Sequence, residues 1–265
     1  MKHLFTCIAY GLLGMVCLEP ISAHAQATEP TPKTTKALLV TPKALTYKVE
    51  RLKQKLPIDG NWDKKQWKGV KSVRMTNYMG KVPAFEPEAE AKMLYDDENV
   101  YVIFRVKDRY VRSEVLEYNG NVSGDACVEF FFAPDMELPL HYFNLEINAG
   151  GTPLLFYVTK PWTDFTKLDS VDIKKIEIAH SLPRVVSPEI TEPVTWTIEY
   201  RIPLSMLEKF SKVSRPKPGT VWKANFYKTA SKSKNSNPHW ITWSPVEYPR
   251  PNFHLPQFFG TLEFE

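Results

Sequence analysis

The residues best able to do chemistry are carboxylates, amides and rings set at every second position. In HYFNLEINAGG (141–151), Tyr142, Asn144, Glu146 and Asn148 alternate with Phe143, Leu145 and Ile147. A period of two is a strand with one apolar and one polar face. In GDACVEFFFAPD (124–135) the same alternation puts Asp125, Cys127, Glu129 and Phe131 on one face. VYVIFRVKD does so with Tyr101, Ile103, Arg105 and Lys107, and VWKANFYK with Lys223, Asn225 and Tyr227. If these strands share a sheet, Arg, Glu, Asn and Tyr meet on one surface. Such groups pair well with sugar hydroxyls, which both donate and accept hydrogen bonds. The alternative is a solvated face held by cross-strand pairs.

Rings gather further on. NPHWITWSPVEYPRPNFHLPQFFGTLEF (237–264) sets Trp240, Trp243, Tyr248, Phe253, His254, Phe258 and Phe259 among five prolines. Proline restricts such a loop, so exposed rings on it form a stacking platform ordered in advance. Trp240 and Phe253 read as exposed rings of that kind, with His254 beside them. Trp243 and Phe259 read as core plugs. A pair such as Glu129 and Glu146 has the groups for acid–base work on a glycosidic bond, but any sandwich with Glu on a polar face offers one. G-x-S-x-G, H-E-x-x-H, P-loop, G-x-G-x-x-G and C-x-x-C motifs are all missing, and the histidines at 141, 180, 239 and 254 have no ligand spacing.

The elements that must position these residues are short strands. Strands are expected at 71–79, 90–96, 100–108, 126–133, 142–150, 153–159, 194–203, 221–230 and 260–265. The second and third form a hairpin through Asp97-Glu98-Asn99. In VTWTIEYRIP, Trp196, Ile198, Tyr200 and Ile202 point inward, and Thr195, Thr197, Glu199 and Arg201 outward. Helix is expected only at 61–68 and 203–210. Many strands and few helices imply an all-β fold, an antiparallel sandwich of about 220 residues.

The chain has 265 residues, 43% of them hydrophobic, which suffices for one large core. Residues 1–25 read as a signal peptide, with Lys2 and His3 ahead of an apolar run and Ala23-His24-Ala25 as cleavage site. A Pro/Thr/Lys-rich leader follows over 26–44, and the sandwich occupies 45–265. The expected location is secreted, periplasmic or cell-surface, with no membrane span once the signal is removed. Cleavage removes Cys7 and Cys17, leaving Cys127 as a lone buried thiol with no disulfide to make. The net charge of +4 is spread along the chain, which argues against a nucleic-acid partner.

Taken in order, PIDGNWDKKQW (57–67), AEAKMLYDDENVYVIFRVKD (89–108), GDACVEFFFAPD, HYFNLEINAGGT, WTIEYRIP (196–203) and WSPVEYPRPNFHLPQFFGTLEF (243–264) resemble carbohydrate-binding module family 9, a sandwich related to DOMON domains. The resemblance implies a protein that binds a sugar or glycan without catalysis and supports polysaccharide breakdown. It places the family's binding glutamate on Glu129 and a clamp ring on Phe253, ahead of P-x-x-F-G. Asn144 falls where binding members carry arginine. The second clamp ring falls near Val122, with Tyr118 the nearest aromatic. Either the ligand differs, or rings such as Trp240 or Trp162 take over, or binding is lost. Arg105 and Glu146 complete the expected polar set. No cofactor is implied beyond the structural calcium of some members, for which Asp96, Asp97, Glu98 and Asp125 supply loop oxygens. The rival readings are a glycoside hydrolase, a DOMON-type haem or redox module with axial Met or His, and a surface protein that binds a partner.

Overall fold

Alternation of apolar and polar residues builds strands whose apolar faces must be buried against one another. The computed structural model describes residues 45–231 and 235–265. The expected signal peptide and leader (1–44) lie outside the described residues. The strands are β1 (Thr46–Arg51), β2 (Val73–Met75), β3 (Asn77–Tyr78), β4 (Glu88–Tyr95), β5 (Asn99–Asp108), β6 (Val111–Ser113), β7 (Ala126–Ala133) and β8 (Tyr142–Asn148). They continue with β9 (Pro153–Lys160), β10 (Asp164–Lys167), β11 (Glu177–His180), β12 (Val186–Ile190), β13 (Val194–Pro203), β14 (Val221–Ala230), β15 (His239–Thr242) and β16 (Gly260–Phe264). Two four-residue helices, α1 (Ser170–Ile173) and α2 (Leu204–Leu207), interrupt them.

The fold is an all-β sandwich. One sheet runs β10-β9-β8-β7-β14-β16-β1, with β15 also paired to β14, and the other runs β1-β4-β5-β13-β11. The pairing is antiparallel except at β1, which joins the sheets. Thr46–Val49 pairs in parallel with β16, and Glu50 and Arg51 pair in parallel with β4. Between the sheets lie Val102, Phe104, Trp196, Ile198 and Tyr200 from one side and Val128, Phe130, Phe143, Leu145 and Phe226 from the other. Phe104 meets Phe226 edge-on across the gap, at 6.0 Å between ring centres.

Several local expectations change. Residues 61–68 form turns rather than a helix. Both tryptophans there are buried, and Trp67 Nε1 donates to Glu199 at 2.7 Å. The single strand expected over 71–79 is two, β2 paired with β4 and β3 with β15. The helix at 203–210 is only α2. Glu199, expected to face solvent, is fully buried because residues 56–67 cross over it. It accepts from Gly60 N and Lys64 Nζ (2.7 Å each) and from Asp59 N (2.9 Å). The expectation for Cys127 holds, since it is a buried free thiol. Among the described residues no helix is long and apolar enough to cross a membrane.

Candidate functional site

Strands β7, β8 and β14 each send alternate side chains out of the core onto the outer face of the first sheet. On β8 these are the four expected from the sequence, but none is wet, because every residue of the strand is buried. The chain folds back over both ends of that face. At one end Tyr142 lies under the C-terminal loop, its ring 5.4 Å from that of Phe259 and its Oη 2.8 Å from His254 Nδ1. Asn225 on β14 ties this loop down, accepting from Ser244 N (2.8 Å) and donating to Ser244 O (3.0 Å). At the other end Asn148 donates to Val115 O and Asp125 Oδ2, both at 2.9 Å, and accepts from Thr152 N at 2.8 Å. Only the middle, Asn144 and Glu146, remains open.

That middle is the floor of a cleft with two lobes. The polar lobe, of about 140 Å³, is lined by Glu129, Thr229, Trp240, Asn252 and Phe253. The apolar lobe, of about 230 Å³, is lined by Asn144, Leu154, Phe156, Val158 and Phe165. Ser123, Glu146, Trp162 and His254 border both. Trp162 sits in the β9–β10 turn, 67% exposed, its ring centre 4.3 Å from that of His254. Its φ of 67° is a left-handed conformation that a bulky residue seldom adopts, and such strain collects at functional positions.

Register sets the electrostatics. Glu129 stands directly opposite Glu146 across β7 and β8 and opposite Tyr227 across β7 and β14. Directly opposed residues have Cβ atoms about 4.5–5.5 Å apart. Both carboxyls are buried, with 3% and 7% of each residue exposed. Burial pushes Glu146 up to about 7, against hydrogen bonds from Ser123 and from Asn144 Nδ2 (3.0 Å). Burial and the neighbouring Glu146 charge push Glu129 well above the usual carboxylate range, and Lys228 works the other way. Lys228 projects into the core side of the sheet, where it pairs with Asp108 at 3.1 Å. Burial lowers His254 to about 4, so its ring is neutral at ordinary pH.

The structure therefore gathers Glu129, Asn144, Glu146, Trp240, Phe253 and His254 around one cleft. It does not bring Arg105 there. β5 belongs to the other sheet, and Arg105 binds Glu90 (2.7 Å) and lies 4.5 Å from the Trp62 ring centre. Phe253 is not an exposed ring. Only 7% of it is accessible, and it stacks on Tyr227 at 4.1 Å. Trp243 and Phe259 are buried, as expected. Val122 is buried in a turn, and Tyr118 does not line the cleft. Ser123, Thr229, Asn252, Phe156 and Phe165 escaped the sequence reading. Ser123 sits in a single 3-10 turn (Val122–Gly124) and Asn252 in a loop, where no periodicity reports direction. Phe156 reads as an ordinary strand hydrophobe, and Phe165 lies on β10, where no strand is expected.

The loop oxygens considered for calcium are engaged locally. Asp96 accepts from Glu98 N, Asn99 N and Tyr101 Oη, and Asp125 accepts from Glu114 N and Val115 N. Among the described residues no three His, Cys, Asp or Glu side chains converge in a metal-holding group.

The model of carbohydrate-binding family 9 matches residues 55–264. Among solved structures, the chain is similar to a Bacteroides uniformis ATCC 8492 protein to which carbohydrate binding is ascribed. That likeness has 27% identity and a TM-score of 0.74, and covers 84% of this chain and 100% of the other. It is also similar to a family 9 module of Caldicellulosiruptor kristjanssonii solved with cellotriose (19% identity, TM-score 0.57, 83% and 94% covered). The glucose complex of such a module from that organism gives 18% identity and TM-score 0.57, with 83% and 96% covered. None of the curated proteins matches.

Proposed function

The chain belongs to carbohydrate-binding family 9, and from that membership and the cleft we propose that it is an exported protein that holds a sugar or the end of a glycan. The observation that carries this reading is a polar floor under aromatic walls. Glu129 and Glu146 offer acceptors for hydroxyl donors, and Trp162 and Trp240 offer faces for the apolar C–H side of a pyranose ring. Asn144 braces Glu146 from the same strand. The relatives seen with cellotriose and with glucose support a sugar on this sandwich. The signal-like N-terminus supports export, and a binder of this kind outside the cytoplasm would serve polysaccharide breakdown by holding chains near degrading enzymes.

The proposed role is binding without catalysis. Glycoside hydrolysis needs carboxyls on either side of the scissile bond, whereas Glu129 and Glu146 rise side by side from neighbouring strands of one floor. A haem site with paired axial ligands is also poorly served, because His254 is the only histidine among the described lining residues and no methionine joins it. Calorimetry of the mature protein against a panel of neutral, amino and acidic sugars tests the reading. Saturable binding that weakens when Trp162 or Trp240 becomes alanine is expected. Absence of binding across the panel, or release of product from aryl glycosides, would refute it.

A further inference from the structure

The cleft floor carries two carboxyls, and among the described residues no counter-charge lies on its own face. Glu129 and Glu146 are adjacent and nearly wholly buried, and the described lining residues include no lysine or arginine. Arg105 is on the other sheet. Lys228 emerges on the core side and is committed to Asp108. His254, the one ring able to become cationic, lies buried with Nδ1 against Tyr142 Oη.

The donors shown on this floor, Asn144 Nδ2 and Ser123, both serve Glu146. The Asn144 Oδ1 atom beside the pair is buried and has no partner among the described residues. Unpaired acceptors in a low-dielectric site are costly, and two neighbouring carboxyls cannot both ionise there without a cation. Trp162 and Trp240 complete the surroundings, and aromatic faces attract positive charge. A neutral sugar supplies donors to this floor but no charge. A ligand with an ammonium group supplies both.

We propose that the cleft selects a sugar bearing a free amine, with its ammonium seated at Glu129 and Glu146 and its ring against Trp162 and Trp240. The proposal rests on the reading of this cleft as a sugar site and narrows it to a ligand class. An N-acetylated sugar keeps an N–H donor and loses the charge, so it isolates the cationic contribution.

The test is calorimetry of the mature protein at about pH 7, where a sugar amine is still largely protonated and the Glu146 carboxyl is in the middle of its titration. The probes are glucosamine, N-acetylglucosamine and glucose, each also as its β-1,4-linked dimer. The amine is expected to bind at least about tenfold more tightly than either neutral partner, as a desolvated charge pair allows. Glu129→Gln and Glu146→Gln keep the side-chain shape and remove a group able to ionise against the ammonium, and each is expected to bring the amine-to-neutral ratio toward one. Neutral sugars binding as tightly as the amine would overturn this inference and leave the proposed function standing. No binding by any probe would overturn both. A preference for the amine that survives both substitutions would overturn the assignment to these carboxyls.

Discussion

Glu146→Gln should stabilise the protein, and only above the pH at which the unfolded chain ionises. Burial raises the Glu146 carboxyl from the ordinary 4.5 to about 7. A carboxyl with a raised folded value holds its proton more tightly in the native state than in the unfolded chain. Its contribution to stability is therefore fully present below pH 4.5. It is lost progressively as the pH rises toward 7, where the native carboxyl finally ionises. The loss amounts to about 3 kcal/mol for a shift of that size at about 1.4 kcal/mol per unit. Glutamine stays neutral throughout and can still accept from Asn144 Nδ2. The substitution also takes away one of the forces that raise Glu129, so coupling does not shrink the effect. For a domain of this size, about 3 kcal/mol corresponds to roughly 6–12 °C in Tm. Melting curves of wild type and Glu146→Gln from about pH 4 to pH 8 should coincide at the acid end, separate progressively from about pH 4.5 and reach their full separation near pH 7, the variant melting higher. Curves that stay parallel across the range, or a variant that melts lower at about pH 8, would refute the placement of this carboxyl in a buried, unneutralised floor.

Trp162→Gly should weaken sugar binding at least about tenfold by calorimetry while leaving Tm unchanged or raised, since the ring is largely exposed and glycine suits a φ of 67°. Phe253→Ala should cost about 3–5 kcal/mol in urea unfolding, because the ring is buried against Tyr227 and its removal leaves a cavity. Glu199→Ala should cost about 3–5 kcal/mol in the same assay, leaving the buried Lys64 with Asp59 as its remaining counter-ion and the Gly60, Asp59 and Trp67 donors without their acceptor, with sugar affinity unaltered. Arg105→Ala should cost at most about 1 kcal/mol and leave sugar affinity unchanged, as a part-exposed ion pair on the far sheet predicts.

How much of this site was legible in the sequence follows from what a period of two reports. It told which side of a strand each residue takes. It was right for Phe143, Leu145 and Ile147 against Tyr142, Asn144, Glu146 and Asn148, and for the inward Trp196, Ile198, Tyr200 and Ile202. It does not tell which sheet a strand joins. That is why Arg105, on a strand patterned like β7 and β8, was grouped with Glu129 although it faces Trp62 on the opposite side of the molecule. Nor does it tell what covers a face. Glu199 is expected to face solvent, but residues 56–67 cross it, and the polar face of β8, expected to be a sugar-binding or a solvated surface, has one end covered by the C-terminal loop. Phe253 was placed in the right loop, but stacking on Tyr227 turned an expected platform into a buried ring. Trp162 carries a local signal, a large ring in the K-P-W-T turn between strands, yet its left-handed backbone and its position at the mouth of the cleft depend on the β9–β10 hairpin.

The division of one sheet face into packed ends and an open middle explains why the acidic pair can be kept. Two unneutralised carboxyls oppose folding, so the face that holds them must be fixed by other contacts. Tyr142 and Tyr227 pack under His254, Phe253 and Phe259, and Asn148 is bound on both its amide atoms. On the other side of the same strands, Val128, Phe130, Leu145 and Ile147 pack in the main core. A slip of β8 by one residue would exchange those faces, driving Asn144 and Glu146 into the apolar core and Leu145 into the cleft. The core therefore fixes the register that puts Glu129 against Glu146, and the two packed ends prevent local relaxation from separating them. Ligand binding can then recover the energy that this strained floor holds, and a cationic ligand would recover most. Saturating amine should for that reason raise Tm more in wild type than in Glu146→Gln, and an equal rise in both would show that the floor's charge plays no part in recognition.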